Sequence, residues 1–266
     1  MWTTLALVSV LSLPAGQSDK LALTNVRSTY GVLGSTKPDN KVLPGDSYVL
    51  SFDLDGVKVD ETGKVLYTVG MEVVDSEGKV QFKQEPSDKE ANATLGGSTL
   101  PAFAMVNVGT EQPAGKYNLK VTVTDRASRQ SASISHDYEI LPKAFGLVHV
   151  NLTSDKDGKI AAPFLSVGES AWVNFTVVGF GRNATSQQPD LAVSLRVLDE
   201  DGKPTLAKPF TGKVDKDVPA KAPSIPLQFD IELNRPGKFT IELVANDKVN
   251  GKETKLSLPL PVLKSK

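Results

Sequence analysis

One pattern occurs twice in this chain, and that repeat limits what it can fold into more than any other feature. Residues 113–141 read PAGKYNLKVTVTDRASRQSASISHDYEIL and residues 235–263 read RPGKFTIELVANDKVNGKETKLSLPLPVL. Gly115 matches Gly237, Tyr117 matches Phe239, Asp125 matches Asp247 and Leu141 matches Leu263, all at an offset of 122. Upstream, VVDSEGK at 73–79 matches VLDEDGK at 197–203, and PGDSYVLSFDL at 44–54 matches VGESAWVNFTV at 167–177, at offsets of 124 and 123. Offsets that drift by one or two residues are what loop insertions and deletions leave behind. A unit that fills most of both halves of 266 residues is the size of a domain. The chain is therefore read as two diverged copies, 19–142 and 143–266, after a leader of residues 1–18, with the boundary near 142–146.

Inside each copy the hydrophobic period is two. Leu50, Phe52 and Leu54 alternate with Val49, Ser51 and Asp53, and Val173, Phe175 and Val177 repeat the pattern. Tyr117, Leu119, Val121 and Val123 share one face, with Asn118, Lys120, Thr122 and Thr124 on the other. Near the C-terminus of each copy, Ile134, His136, Tyr138 and Ile140 correspond to Leu256, Leu258, Leu260 and Val262. Such alternation places one face of a strand on a core and the other in water. Asp, Gly, Asn and Pro punctuate the runs, and no helical period lasts three turns. The expected fold is all-β: two tandem antiparallel sandwiches of about seven strands each. Pro259 and Pro261 remove ladder donors from one side of the last strand, which marks it as an edge. A joint as short as 142–146 favours contact between the copies, around Phe145.

The stretch Gly115-Lys-Tyr117-Asn-Leu119 followed by Val121-Thr-Val123-Thr-Asp125 resembles the penultimate strand of bacterial immunoglobulin-like and fibronectin-III-like domains. That resemblance implies a sandwich in which Tyr117 makes a corner hydrogen bond, and an adhesive, scaffolding or linker role without an activity. Leu119 and Ile241 stand where the immunoglobulin cysteine would be, and Phe239 replaces the tyrosine in the second copy, where the corner bond is impossible.

The chain has no cysteine, which excludes disulfides, thiolate metal sites, cysteine nucleophiles and a lipidated N-terminal cysteine. Leu5 to Leu13 is apolar but too short to span a bilayer, and Ala15, Gly16 and Ser18 follow it. This reads as a secretory signal, the alternative being a first strand of the fold. Export without disulfides points to a bacterial envelope, periplasmic or outside the cell. With a net charge of −1 there is no general pull toward nucleic acid. The first half carries 13 Lys and Arg against 17 Asp and Glu and the second 17 against 14, an asymmetry too diffuse to survive salt screening.

No residue pattern carries a recognisable chemistry. His136 falls on the apolar parity of a strand and reads as a packed, satisfied ring. His149 lies in the other copy, so the two cannot form a multi-histidine zinc site. Asp53-Leu-Asp55-Gly56, Asp155-Lys-Asp157-Gly158, Asp199-Glu-Asp201-Gly202 and Asp75-Ser-Glu-Gly78 read as hairpin turns, with calcium the rival reading. No catalytic, cofactor or metal residues are assigned. The sequons at Asn92, Asn151, Asn174 and Asn183 are read as chance in a Thr-rich β protein. The basic tips 126–129 and 248–252 are read as solvated turns.

Four segments read as divergent loops on a matched scaffold: 83–101 with 208–224, and 55–64 with 179–190. Trp172, out of phase with Val173 and Phe175, is the one candidate ligand contact. A solvent-exposed Trp172 beside a second ring and polar groups would favour a glycan, and a buried one would leave only loops and edges for a protein partner. The expectation is a non-enzymatic envelope protein presenting loops of two immunoglobulin-like domains to a protein partner. The alternatives are a carbohydrate-binding module and a carboxylate-based hydrolase or an accessory domain of one. No membrane span is expected once the leader is removed.

Overall fold

The computed structural model describes residues 20–162 and 164–265; the leader lies outside the described residues. Sixteen strands follow one another without a helix among the described residues. The first eight are β1 (Ala22–Ser28), β2 (Lys41–Val42), β3 (Ser47–Asp55), β4 (Lys64–Asp75), β5 (Val80–Asn92), β6 (Thr99–Asn107), β7 (Gly115–Asp125) and β8 (Ser131–Ile140). The second eight are β9 (Gly146–Thr153), β10 (Leu165–Ser166), β11 (Ser170–Val178), β12 (Leu191–Leu198), β13 (Phe210–Val214), β14 (Ser224–Glu232), β15 (Gly237–Asp247) and β16 (Lys252–Leu263).

Each set forms a three-stranded and a five-stranded sheet. The orders are β1-β3-β6 and β2-β8-β7-β4-β5, then β9-β11-β14 and β10-β16-β15-β12-β13. Position by position the two topologies are the same, that of an immunoglobulin-like sandwich. Tyr117 and Phe239 fall on equivalent strands, facing Tyr138 and Leu260. The strand count is eight per sandwich rather than about seven. The additional strand is β2 or β10, two residues pairing parallel to the last strand as the chain crosses between sheets. Two residues are too few to show alternation.

Two cores follow from the alternating faces. One is centred on Tyr48, Leu50, Phe52, Leu119 and Val121, the other on Val173, Leu195, Ile241 and Leu258. The corner bond exists in the first sandwich, where Tyr117 Oη donates to the Pro113 carbonyl at 2.8 Å. In the second, the Arg235 guanidinium lies 4.7 Å from the centre of the Phe239 ring instead.

Three sequence readings need correction. Residues 83–101 are not a loop: they complete β5 and enter β6. KQEPSDKEAN shows no alternation because β5 is a sheet edge that is wet on both faces, guarded by charges, Pro86 and two register shifts. Residues 208–224 likewise include β13. Asp53 and Asp55 are not in a turn but end β3. There Asp55 accepts from the hydroxyls of Thr24 and Thr99, which hold its carboxyl below the usual range. Finally, Val49 and Ser51 sit on the parity expected to face water, yet both are buried. The chain after β1 returns over that face, and the Thr29 hydroxyl meets that of Ser51 at 2.8 Å.

Candidate functional site

The residues singled out for chemistry are mostly employed in structure. His136 is half-buried on β8 with Nδ1 2.7 Å from the Tyr48 hydroxyl, and burial pushes its pKa down. Asp75, Asp155 and Asp199 each accept two backbone N–H groups of their own turn. Asp125 and Asp247, noted above only as repeat landmarks, are buried carboxylates. Asp125 accepts from the backbone N–H groups of Lys58, Ala127 and Ser128, and Asp247 from those of Gly181, Val249 and Asn250. Each therefore closes its last hairpin and ties a distant loop to it. Among the described residues no cluster of three or more His, Asp or Glu is placed to hold a metal ion.

Trp172 stands half-buried on the outer face of β11, flanked by Thr153 of β9 and Asp230 of β14. It takes part in none of the ring contacts seen among the described residues, which join Tyr48 to His136 and Tyr138, Tyr117 to Tyr138, and Phe175 to Phe229. Asn174 beside it donates to Asn151 and Thr153.

Sequence reasoning missed the junction. The joint 141–145 is as short as expected, and Phe145 belongs to the second core. The main contact comes instead from the segment between β1 and β2. Tyr30 of that segment joins the core of the second sandwich, beside Leu152, Ala162, Leu165, Leu258 and Leu260. Its hydroxyl pKa is pushed up to about 12 by burial, then by Asp39 and Asp46. Ser35 donates to the Pro259 carbonyl at 3.1 Å, so one carbonyl of β16 is met from the first sandwich. Asp46 accepts the backbone N–H of His149 at 2.8 Å, with Lys37 Nζ 4.0 Å from its other oxygen. His149 itself has φ 51°, at a bulge in β9. A cleft of about 590 Å³ remains there, lined by Lys37, Asp39, Asp46, Met105, His149 and Lys255 among others.

A second candidate is the opposite end of the first sandwich. There the β3–β4, β5–β6 and β7–β8 connections are bonded into one platform. Val57 N donates to Ser98 O, Ala93 N to Gly63 O, and Lys58 N to Asp125. Leu95, at the tip before Gly96 and Gly97, is 101% exposed. The corresponding end of the second sandwich is tied differently. Arg182 donates to the carbonyls of Gln187, Pro219 and Ala222, and Gly179 runs so near the joint that a Cβ there would collide with the Ala144 oxygen. The first loop end is exposed, whereas the second abuts the joint.

No protein-family model matches the chain, and no curated protein sequence matches it. Similar solved structures include latent PorU from Porphyromonas gingivalis, at 11% identity and a TM-score of 0.40 over 93% of this chain and 21% of that one. Red sea bream transglutaminase follows at 10% and 0.29, over 92% of this chain and 32% of that one. The C-terminal domain of the Streptococcus agalactiae AgI/II polypeptide BspA matches at 9% and 0.28, over 89% of this chain and 99% of that one. The chain thus spans about a third of the transglutaminase and about a fifth of PorU. At such identities and scores, nothing about activity or partners transfers. No helix among the described residues is long and apolar enough to cross a membrane.

Proposed function

We propose that the chain is an exported, non-catalytic interaction module of a bacterial envelope that presents the loop end of its first sandwich to a protein partner. The observation that carries this reading is the platform of connections 56–63, 93–98 and 126–130, cross-bonded at its base and bearing the fully exposed Leu95. β8 runs ten residues from that end to the joint, roughly 30 Å, so a partner there is clear of the second sandwich. Exposed, preorganised loops on a rigid scaffold cost little ordering entropy on binding. The employment of His136, Asp125 and Asp247 in structural hydrogen bonds supports the non-catalytic part of the reading. Trp172 has polar neighbours but takes part in no ring contact among the described residues, and the lack of a second ring as a stacking platform favours a protein over a glycan.

The test is capture from the native envelope fraction with the intact chain and with a Leu95→Asp, Arg129→Glu double variant. Both residues are exposed, so folding should be unchanged. One retained protein, lost with the variant at unchanged melting temperature, is expected. Retention that is indifferent to the variant moves the site elsewhere, and no retention by either chain leaves only an architectural spacer.

A further inference from the structure

Long sheet edges need a guard against pairing with other chains, and two of the long edge strands described here, β6 and β9, carry no charged residue. β1 carries Arg27, β5 carries five charged residues and Pro86, and β14 carries Pro226, Asp230 and Glu232. β9 is bulged, and its His149 is held by Asp46 of the first sandwich. β6, TLPAFAMVN, has nine residues and no charge, and it pairs only with β3. Phe103 and Met105 on its outer face are 43% and 41% exposed. The orientation of its free backbone groups follows from the ladder. Val108 N donates to Asp46 O in continuation of the β3–β6 register, so even-numbered residues bond to β3 and odd-numbered ones point outward. Pro101, which has no N–H, is accordingly outward.

The strand also reads nearly the same in both directions about Phe103. Turned end to end, Thr99 meets Asn107, Leu100 meets Val106, Pro101 meets Met105, Ala102 meets Ala104, and Phe103 meets itself. About a two-fold axis the outward residues thus pair Phe103 with Phe103, Pro101 with Met105 and Thr99 with Asn107, none of them charged, so the patch is compatible with its own copy as an isologous contact requires. We propose that β6 is the interface with a second copy of this chain. The two strands lie antiparallel about Phe103 and join two three-stranded sheets into one of six. The Phe103 N–H groups donate to each other's carbonyls, Met105 N–H donates to the partner's Pro101 carbonyl, and Thr99 exchanges bonds with Asn107. Only the donor missing at Pro101 is lost. The Phe103 rings meet across the axis, each flanked by the partner's Pro101 and Met105. The interface is centred on Phe103, along the strand that leaves the loop platform at Thr99, and its test does not depend on any partner bound at that platform.

Two measurements test it together. Sedimentation of the full chain from micromolar to sub-millimolar concentration should show its mass doubling, and Phe103→Asp should hold it at the monomer at unchanged melting temperature. Because the protein has no other thiol, Phe103→Cys is a sole reporter. The axis brings the two Cα atoms to roughly 5.5 Å, within disulfide range. Under mild oxidation this chain should link at least tenfold faster than one carrying Phe82→Cys, which is equally exposed but on the guarded β5 edge. Doubling with fast linkage at 103 supports the proposal. A monomeric native chain overturns it whatever the thiols do, and a dimer whose thiols at 103 link no faster than at 82 is built on another surface and overturns it too.

Discussion

The two sandwiches share a topology but complete their cores differently. In the first, Tyr48 of β3 fills the space beside β8, stacked 4.3 Å from Tyr138 and bonded to His136. The repeat places Ala171 where Tyr48 stands, and Leu258 and Leu260 where His136 and Tyr138 stand. The second sandwich thus lacks its tyrosine, and Tyr30 of the first packs beside the same two β16 residues instead. One sandwich is self-sufficient; the other borrows a side chain. Tandem copies that diverge in this way stop being interchangeable, and the junction becomes part of the second core rather than a tether.

The comparison is most open to breaking at Tyr30. Tyr30→Ala should cost the second sandwich about 3 kcal/mol, typical of deleting a buried ring, and should let the two halves tumble apart in solution scattering. Ala171→Tyr alone should overfill the same space, at about 1–3 kcal/mol. Combined, the two changes should cost less than their sum by more than ~0.5 kcal/mol. Denaturant unfolding followed through Trp172, in the second sandwich, reads this cycle, and strict additivity would mean that Tyr30 and Tyr48 do not fill equivalent places.

A smaller effect is expected where the sandwiches agree. Asp125→Asn and Asp247→Asn should each cost about 2 kcal/mol, because an amide turned toward converging N–H donors leaves buried groups unpaired. The first should cost more, since Asp125 also accepts the Ser128 hydroxyl. A loss below ~0.5 kcal/mol at either site would show that the carboxylate is not what closes the hairpin. Smaller again is the corner: Tyr117→Phe should cost about 1 kcal/mol through the lost bond to Pro113. Arg235→Ala, which uncovers the Phe239 ring at an exposed site, should cost about 0.5 kcal/mol. Chemical denaturation of the single variants ranks these directly.

How much of this was legible in the sequence depends on whether one face of an element met water. β7, β8, β11, β15 and β16 alternate cleanly because one side packs and the other meets water, so their parity and equivalence could be read; β3 alternates in sequence although both of its faces are covered. β5 is wet on both faces and passed for a loop. Val49 and Ser51 were assigned to solvent because nothing local announces that a segment 20 residues upstream folds over them. The buried pair Asp125 and Asp247 was visible as an identity between copies, but a carboxylate satisfied by main-chain donors has no side-chain motif. The junction did leave a trace: Tyr48 against Ala171 is a large volume mismatch at one core position of an otherwise matched strand, and a tyrosine near the start of the chain was available to fill it.

The smallest expected effect is a pH dependence confined to the first sandwich. His136 Nδ1 faces the Tyr48 hydroxyl, and burial holds its pKa below the ordinary value of 6.5. The native state therefore binds a proton less readily than the unfolded chain. Stability from this group is fully present above about 6.5 and is lost as pH falls through the depressed native value. The second sandwich has Leu258 at the equivalent position and no such dependence. His136→Leu should accordingly flatten the stability profile between neutral pH and pH 5 while lowering it throughout, since the Tyr48 hydroxyl loses its hydrogen-bond partner. His149 is present in both chains and cancels in the difference. The carboxylates held low by their turns, such as Asp60 and Asp155, respond only below their ordinary 3.8 and leave this window clear. Urea midpoints of both chains at closely spaced pH values make the comparison, and parallel profiles would mean that His136 pays no cost for its burial and that the difference between the two cores is one of shape alone.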